Sequence, residues 1–326
     1  MHAIHRILAA VKDTRAKTQP GIDKAAVLAR ALDAQLCLFH GINDPICPDL
    51  GTVAGLKPAQ VEAYGCEQHR QRLEGLARPL RRHGITVTTA VQWDYPLHEA
   101  IIRAAEAFEA DLVVATAHPG RHHLPWLLHY TDWELLRTAT MPVLLVKDAK
   151  PWHRPPVLAA VDPEHAFDKP AALDGEILRF SATLAEALGG KVHAVHAYLP
   201  LPPFPDLSGP LVIEAELAAA QDHAQAVLER VAGPLGIPRR RRHAVARHPI
   251  DAIADVAREI GSGIVALGSV SRSGVDRVFI GNTAEALIDS LKCDVLVVKP
   301  PGFRNKVMRT PRGARLVPLP LAPAGV

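Results

Sequence analysis

Short apolar runs alternate along the chain with longer stretches whose apolar residues recur every three to four positions. Ile7 to Val11 is such a run, and an Ala- and Leu-rich segment, Ala25 to Ala34, follows it. Leu36 to His40 is apolar again, and the amphipathic stretch from about Pro58 to His83 comes next. Ile85 to Val91, the helical period of Leu97 to Phe108, Leu112 to Ala115 and Val143 to Val146 continue the pattern. It then starts over. Val157 to Val161, Pro170 to Leu188, Val192 to Ala197, about Leu211 to Leu235, His243 to Arg247, Ile250 to Ile260, Ile264 to Leu267 and Val295 to Val298 repeat the same order. Strands that are apolar at nearly every position are buried on both faces, which is the habit of parallel sheets covered by helices. The expected fold class is α/β, with two tandem doubly wound parallel-sheet domains.

The repetition extends to the letters. "RILAAVKD" (Arg6 to Asp13) returns as "PVLAAVDP" (Pro156 to Pro163), and "MPVLLVKDAKP" (Met141 to Pro151) returns as "CDVLVVKPPGF" (Cys293 to Phe303). Shifts of 150 and 152 residues are far too long for a solenoid and mark a duplicated domain. The expected domains are 1–150 and 151–302, joined near "DAKPWHRPP". The Pro-rich basic tail, 303–326, lacks a periodic apolar face and is expected to be disordered. Each copy ends in an apolar strand, so pairing the two inside one chain would remove two exposed edges. A monomer built as an internal pseudo-dimer is expected.

Composition narrows the function classes. Hydrophobic residues are 48% and charged residues 22% of 326, and the net charge is +3, which provides no bulk field for nucleic acid. "RRRRH" (Arg239 to His243) opens a strand and reads as a solvated edge. Four cysteines at irregular spacing suit reduced thiols, no apolar run nears the roughly 20 residues of a membrane span, and no secretory signal is visible. A cytoplasmic protein without nucleic-acid or membrane partners is expected.

The candidate chemistry lies in "GSVSRSGVDRVFIGNTAEAL" (Gly268 to Leu287), between a strand and a helix. Gly268 admits close backbone approach, and Gly281, Asn282 and Thr283 open the helix, with Glu285 placed for a capping box. Free amides at that helix start, beside the hydroxyls of Ser269, Ser271, Ser273 and Thr283 and the charges of Arg272 and Arg277, suit a phosphate. An ordinary glycine turn before a capped helix has the same letters. No "SGGxDS", "GxxxxGK[ST]" or "GxSxG" occurs, so a binding protein is favoured over an enzyme.

Gly268, two residues, Ser271, nine residues, Gly281, Asn282 and Thr283 keep the spacing of a motif that follows the fourth strand in the universal stress protein family. Ser271 stands where that motif has its second glycine, and Asn282 where it has a hydroxyl residue. With "GNTAE" in the second half and "TDWELLR" in the first, the chain resembles the tandem-domain members of that family. The resemblance implies an adenine nucleotide alpha hydrolase-like fold and an ATP, ADP or AMP ligand, with a divalent cation accompanying the phosphates. It further implies a stress-response sensor or regulator, its protein partner unnamed. Residue by residue it implies that Asp162 and the backbone at Ala197 meet the base, while Gly268, Ser271, Arg272, Gly281, Asn282 and Thr283 hold ribose and phosphates.

In the first half Lys12 replaces Asp162, Thr116 replaces Gly268, Pro119 replaces Ser271, His129 replaces Gly281 and Tyr130 replaces Asn282. A proline there removes an amide donor and an imidazole fills the phosphate approach, so only the second half is expected to bind nucleotide. His118, His122 and His123 in the first-half loop are candidate metal ligands, although their spacing matches no strict zinc signature. A slow ATPase, or a carrier of a metal or an apolar ligand on that loop, are the alternative functions.

Overall fold

The computed structural model describes residues 4–47, 57–117, 130–164, 172–199, 210–269 and 282–317. They form two compact units: Ile4–Ala139 together with the segment from Asn305, and Thr140–Arg304. In the first unit the order is β1 (Arg6–Ala10), α1 (Pro20–Leu32), β2 (Gln35–Ile42), α2 (Pro58–Arg82), β3 (Val87–Trp93), α3 (Leu97–Ala107), β4 (Leu112–Thr116) and α4 (Tyr130–Thr138). The second unit holds β5 (Val143–Val146), β6 (Val157–Ala160), α5 (Ala172–Ala187), β7 (Val192–Tyr198), α6 (Pro210–Ala232), β8 (Arg242–Ala246), α7 (Pro249–Glu259), β9 (Ile264–Gly268), α8 (Asn282–Ser290) and β10 (Asp294–Val298).

Within the first unit the strands lie in the order β3-β2-β1-β4, all parallel. The apolar runs of β1, β2 and β4 are buried, Ile7, Leu8, Leu36, Leu38, Val113 and Val114 all being 0% exposed, whereas β3 at the end of the order is only partly covered. Local signals set the helix ends. Pro20 sits in the first turn of α1, where its missing N–H costs nothing, and the helix stops at Asp33 with φ 52. α2 begins at Pro58, where the Lys57 N–H donates to Gln60 Oε1 at 2.8 Å.

The second unit orders its strands β5-β10-β9-β6-β7-β8, parallel except for β5. β5 and β10 are the two closing strands of the duplicated pattern, and they pair antiparallel with Val295 opposite Leu145 and Val297 opposite Val143. The compact units therefore part company with the sequence repeats at β5, which belongs to the first copy by sequence and to the second unit by packing. Each unit has one point where the strand order reverses, between β1 and β4 in the first unit and between β6 and β9 in the second. Ligands of open α/β sheets bind outside the strand carboxyl ends at such a point.

From Asn305 to Val317 the tail docks on the first unit along a buried ion pair. Asp94 is 0% exposed and paired with Arg103, whose Nε donates at 3.1 Å. Asp94 Oδ1 also accepts the backbone N–H groups of Arg312 (2.9 Å) and Gly313 (3.2 Å). Arg103 Nη1 donates to the Met308 carbonyl at 2.9 Å, and Arg312 Nη2 donates to Glu99 at 2.9 Å. The Ile46 N–H donates to the Arg315 carbonyl, and the Val317 N–H to the Ile46 carbonyl. Burying a carboxylate is costly unless its lone pairs are satisfied, and the tail backbone supplies donors to this one.

The arginine cluster at β8 behaves as an edge. Arg241 Nη1 donates to the Val192 carbonyl at 3.1 Å, Arg242 Nε to the Ile237 carbonyl at 2.6 Å, and Arg242 pairs with Glu229. Beside it, His193 Nδ1 and His243 Nε2 lie 3.0 Å apart with rings stacked. Burial, aided by His243 and then Arg241, pushes His193 down to about 4, and burial also lowers His243. The unfolded chain thus takes up protons that the folded pair refuses, and this contribution to stability is lost as pH falls below about 6.5 toward 4. Urea midpoints at pH 7 and pH 4.5 should show a smaller acid-side drop in His193→Gln than in the unsubstituted chain. Equal drops would contradict this assignment.

Candidate functional site

The reversal point of the second unit brings together the carboxyl ends of β6 and β9, and the sequence candidates distribute around it. Asp162 lies two residues beyond β6, partly exposed, and its backbone N–H donates to Asp174 Oδ1 of α5 at 3.1 Å. Ala197 is half-buried on β7, opposite Val245 of β8. Gly268 ends β9 opposite Val298 of β10, and positions 282 and 283 open α8. Ser271, Arg272 and Gly281 lie outside the described residues, as do His118, His122 and His123 of the first half. Among the described residues no group of three or more His, Cys, Asp or Glu is placed to hold a metal ion.

Two loop residues have packing roles that the motif does not reveal. A Cβ on Gly268 would lie 2.6 Å from Leu173 Cδ2 and 3.1 Å from Ile177 Cδ1, and both partners are fully buried on α5. Helix packing against the strand end therefore requires a glycine there. The first half solves the same contact in reverse, with Thr116 at the end of β4 and Gly21 on α1, where an added Cβ would meet Thr116 Oγ1 at 2.4 Å. Gly268→Val should destabilise the second unit by about 1–3 kcal/mol through overpacking. Adding Leu173→Ala should recover part of that loss, whereas strictly additive effects in denaturant titrations would contradict the packing account.

Ser269, expected to offer its hydroxyl to a phosphate, is instead 1% exposed. Lys299, one residue beyond β10, donates from Nζ to Ser269 Oγ at 2.9 Å and lies over the Phe303 ring. Burial pushes this amine down to about 7. The serine follows β9 directly, and its hydroxyl is taken up by the Lys299 amine at the sheet's end.

Sequence reasoning passed over a cluster on the α5 and α6 side of the same crevice. Glu164, two residues after Asp162, accepts from His223 Nε2 of α6 at 2.7 Å. Its other oxygen lies 3.4 Å from Nε2 of His196 on β7, a ring that is 2% exposed and makes no hydrogen bond through either nitrogen. Tyr198, two residues along β7, donates its hydroxyl to Gln221 of α6. The available signal was a histidine at the same strand position in both copies, His40 and His196, each following the residue whose carbonyl accepts from the chain after the first strand (Val11 to Phe39, Val161 to Val195).

Two doubly wound units, each with its crevice at a sheet reversal, define an α/β protein of the adenine nucleotide alpha hydrolase-like fold. The sequence profile of the Universal stress protein family matches residues 3–147 and 156–299, and the chain belongs to that family of stress-response proteins. Universal stress protein E of Escherichia coli (strain K12) is 28% identical over 94% of this chain and 97% of its own length. Its counterpart from Salmonella typhi is 29% identical over 94% and 98%. Among solved structures, a putative universal stress protein from Pseudomonas aeruginosa UCBPP-PA14 is similar at 26% identity with a TM-score of 0.68, covering 91% of this chain and 94% of that one. No described helix is long and apolar enough to cross a membrane.

Proposed function

We propose that the chain binds one adenine nucleotide, ATP, ADP or AMP, in its second unit and acts as a stress-response sensor or regulator. The observation that carries this reading is the reversal of strand order between β6 and β9, outside whose carboxyl ends open α/β sheets bind ligands. There Asp162 stands at one strand end, and the loop leading into α8 leaves the other. The residues suit the group. A partly exposed carboxylate accepts an exocyclic amine, and the N-terminal amides of α8 attract phosphate. In this reading Asp162 and the Ala197 backbone meet the base. Gly268, Ser271, Arg272, Gly281, Asn282 and Thr283 surround ribose and phosphates, and a divalent cation accompanies the phosphates.

The first unit has the same crevice with different chemistry. Lys12 follows β1 where Asp162 follows β6, and Thr116 places a side chain where Gly268 has none. A cation repels the amine edge that a carboxylate would accept, so nucleotide is assigned to the second unit alone. Mass spectrometry of small molecules released on denaturing protein purified without added nucleotide tests the ligand class. An adenine nucleotide is expected, and a ligand without an adenine ring would overturn the reading.

A further inference from the structure

The cluster around Glu164 has a counterpart in the first unit, built from the same three places in the fold. There Thr14, two residues after Lys12, bonds through Oγ1 to His69 Nδ1 of α2 at 2.9 Å. His69 stacks on buried His40 of β2 with ring centroids 4.3 Å apart, and His40 Nδ1 donates to the Val11 carbonyl at 2.7 Å. In each unit a residue of the loop after the first strand is tied to a histidine on the following long helix. A buried histidine of the second strand backs the tie. Two copies whose loops and ligand-facing residues differ have thus kept one arrangement, with a hydroxyl at its centre in one and a carboxylate in the other.

We propose that Glu164, placed between His223 and His196, pins the segment 161–164 after β6 in the conformation that presents Asp162 to the nucleobase. Glu164, His223 and His196 are then positioning residues for base recognition, a role that rests on the nucleotide reading above. The segment 161–164 has two anchors. Asp174 holds the Asp162 backbone from α5, and His223 holds the Glu164 side chain from α6. Glu164 lies in the turn that directly follows Asp162, so fixing its side chain restrains the backbone that carries the Asp162 carboxylate. His196 occupies a site where a buried ring nitrogen without a partner is costly, and an apolar residue of similar size would avoid that cost. The His196 Nε2 lies beside one carboxylate oxygen while the exposed His223 holds the other, so Glu164 is approached from both sides. The phosphates lie toward β9 and α8, away from this pin, so its loss is confined to the base end.

That separation makes the proposal testable on the full chain with two probes, ATP and inorganic tripolyphosphate. Glu164→Ala and His223→Ala should each weaken ATP about tenfold, the scale of one lost charge-assisted hydrogen bond, and leave tripolyphosphate affinity unchanged. Glu164→Gln, whose amide oxygen still accepts from His223, should return ATP affinity to within about threefold of the unsubstituted chain. If the unsubstituted chain binds ATP and both alanine variants bind it equally well, the pin is overturned and the nucleotide reading stands. Equal weakening of ATP and tripolyphosphate would also overturn it, because the residues would then merely support the fold. An unsubstituted chain that binds no ATP overturns the nucleotide reading, and the pin with it.

Discussion

Asp94→Ala is expected to destabilise the first unit by about 3–5 kcal/mol, the scale of stranding one partner of a buried ion pair. Arg103 is almost fully buried and directs its guanidinium at Asp94, Glu99 and the Met308 carbonyl, so removing the carboxylate leaves a charge with one remaining acidic neighbour. The same change removes the acceptor for the Arg312 and Gly313 amides, and with it the central anchor of the tail. For a unit of this size each kcal/mol corresponds to about 2–4 °C, so the melting temperature should fall by about 6–20 °C. Hydrogen exchange at Arg312 and Gly313 should accelerate in parallel. A loss below about 1 kcal/mol would show that the pair is relaxed by water or by rearrangement.

The second large effect concerns affinity. Gly281→Val should weaken adenine-nucleotide binding more than a hundredfold. A micromolar ligand is held by about 8 kcal/mol, and a β-branched side chain at the helix start would displace phosphate contacts worth about 3 kcal/mol. The thermal stability of the first unit should not change, because the substitution lies in the second. Calorimetric titration of the variant against the unsubstituted chain reads the difference directly. An affinity within threefold of the original would place the phosphates elsewhere.

Different physical rules explain what was and was not legible in the sequence. The strands were legible because a parallel strand covered on both faces is apolar at nearly every position, as in Ile7 to Val11 and Ile264 to Leu267. Pairing of the closing strands followed from the duplication, since two equivalent edges are available in one chain. The contacts of residues 305–317 were not legible because they come from backbone amides meeting Asp94, more than two hundred residues earlier, and not from an apolar period of their own. The Glu164 cluster was missed for a similar reason. Glu164, His196 and His223 are far apart in sequence and meet only when α6 packs beside β7. Gly268 was read as space for a ligand, but the α5 side chains show that helix packing already requires the glycine.

The central claim is that one half of a duplicated chain keeps a nucleotide site and the other half has lost it. Calorimetric titration of the full chain with ATP in the presence of magnesium tests this most directly through its stoichiometry. One nucleotide per chain is the predicted result, with binding eliminated by Gly281→Val. Two nucleotides per chain, or none, would contradict it.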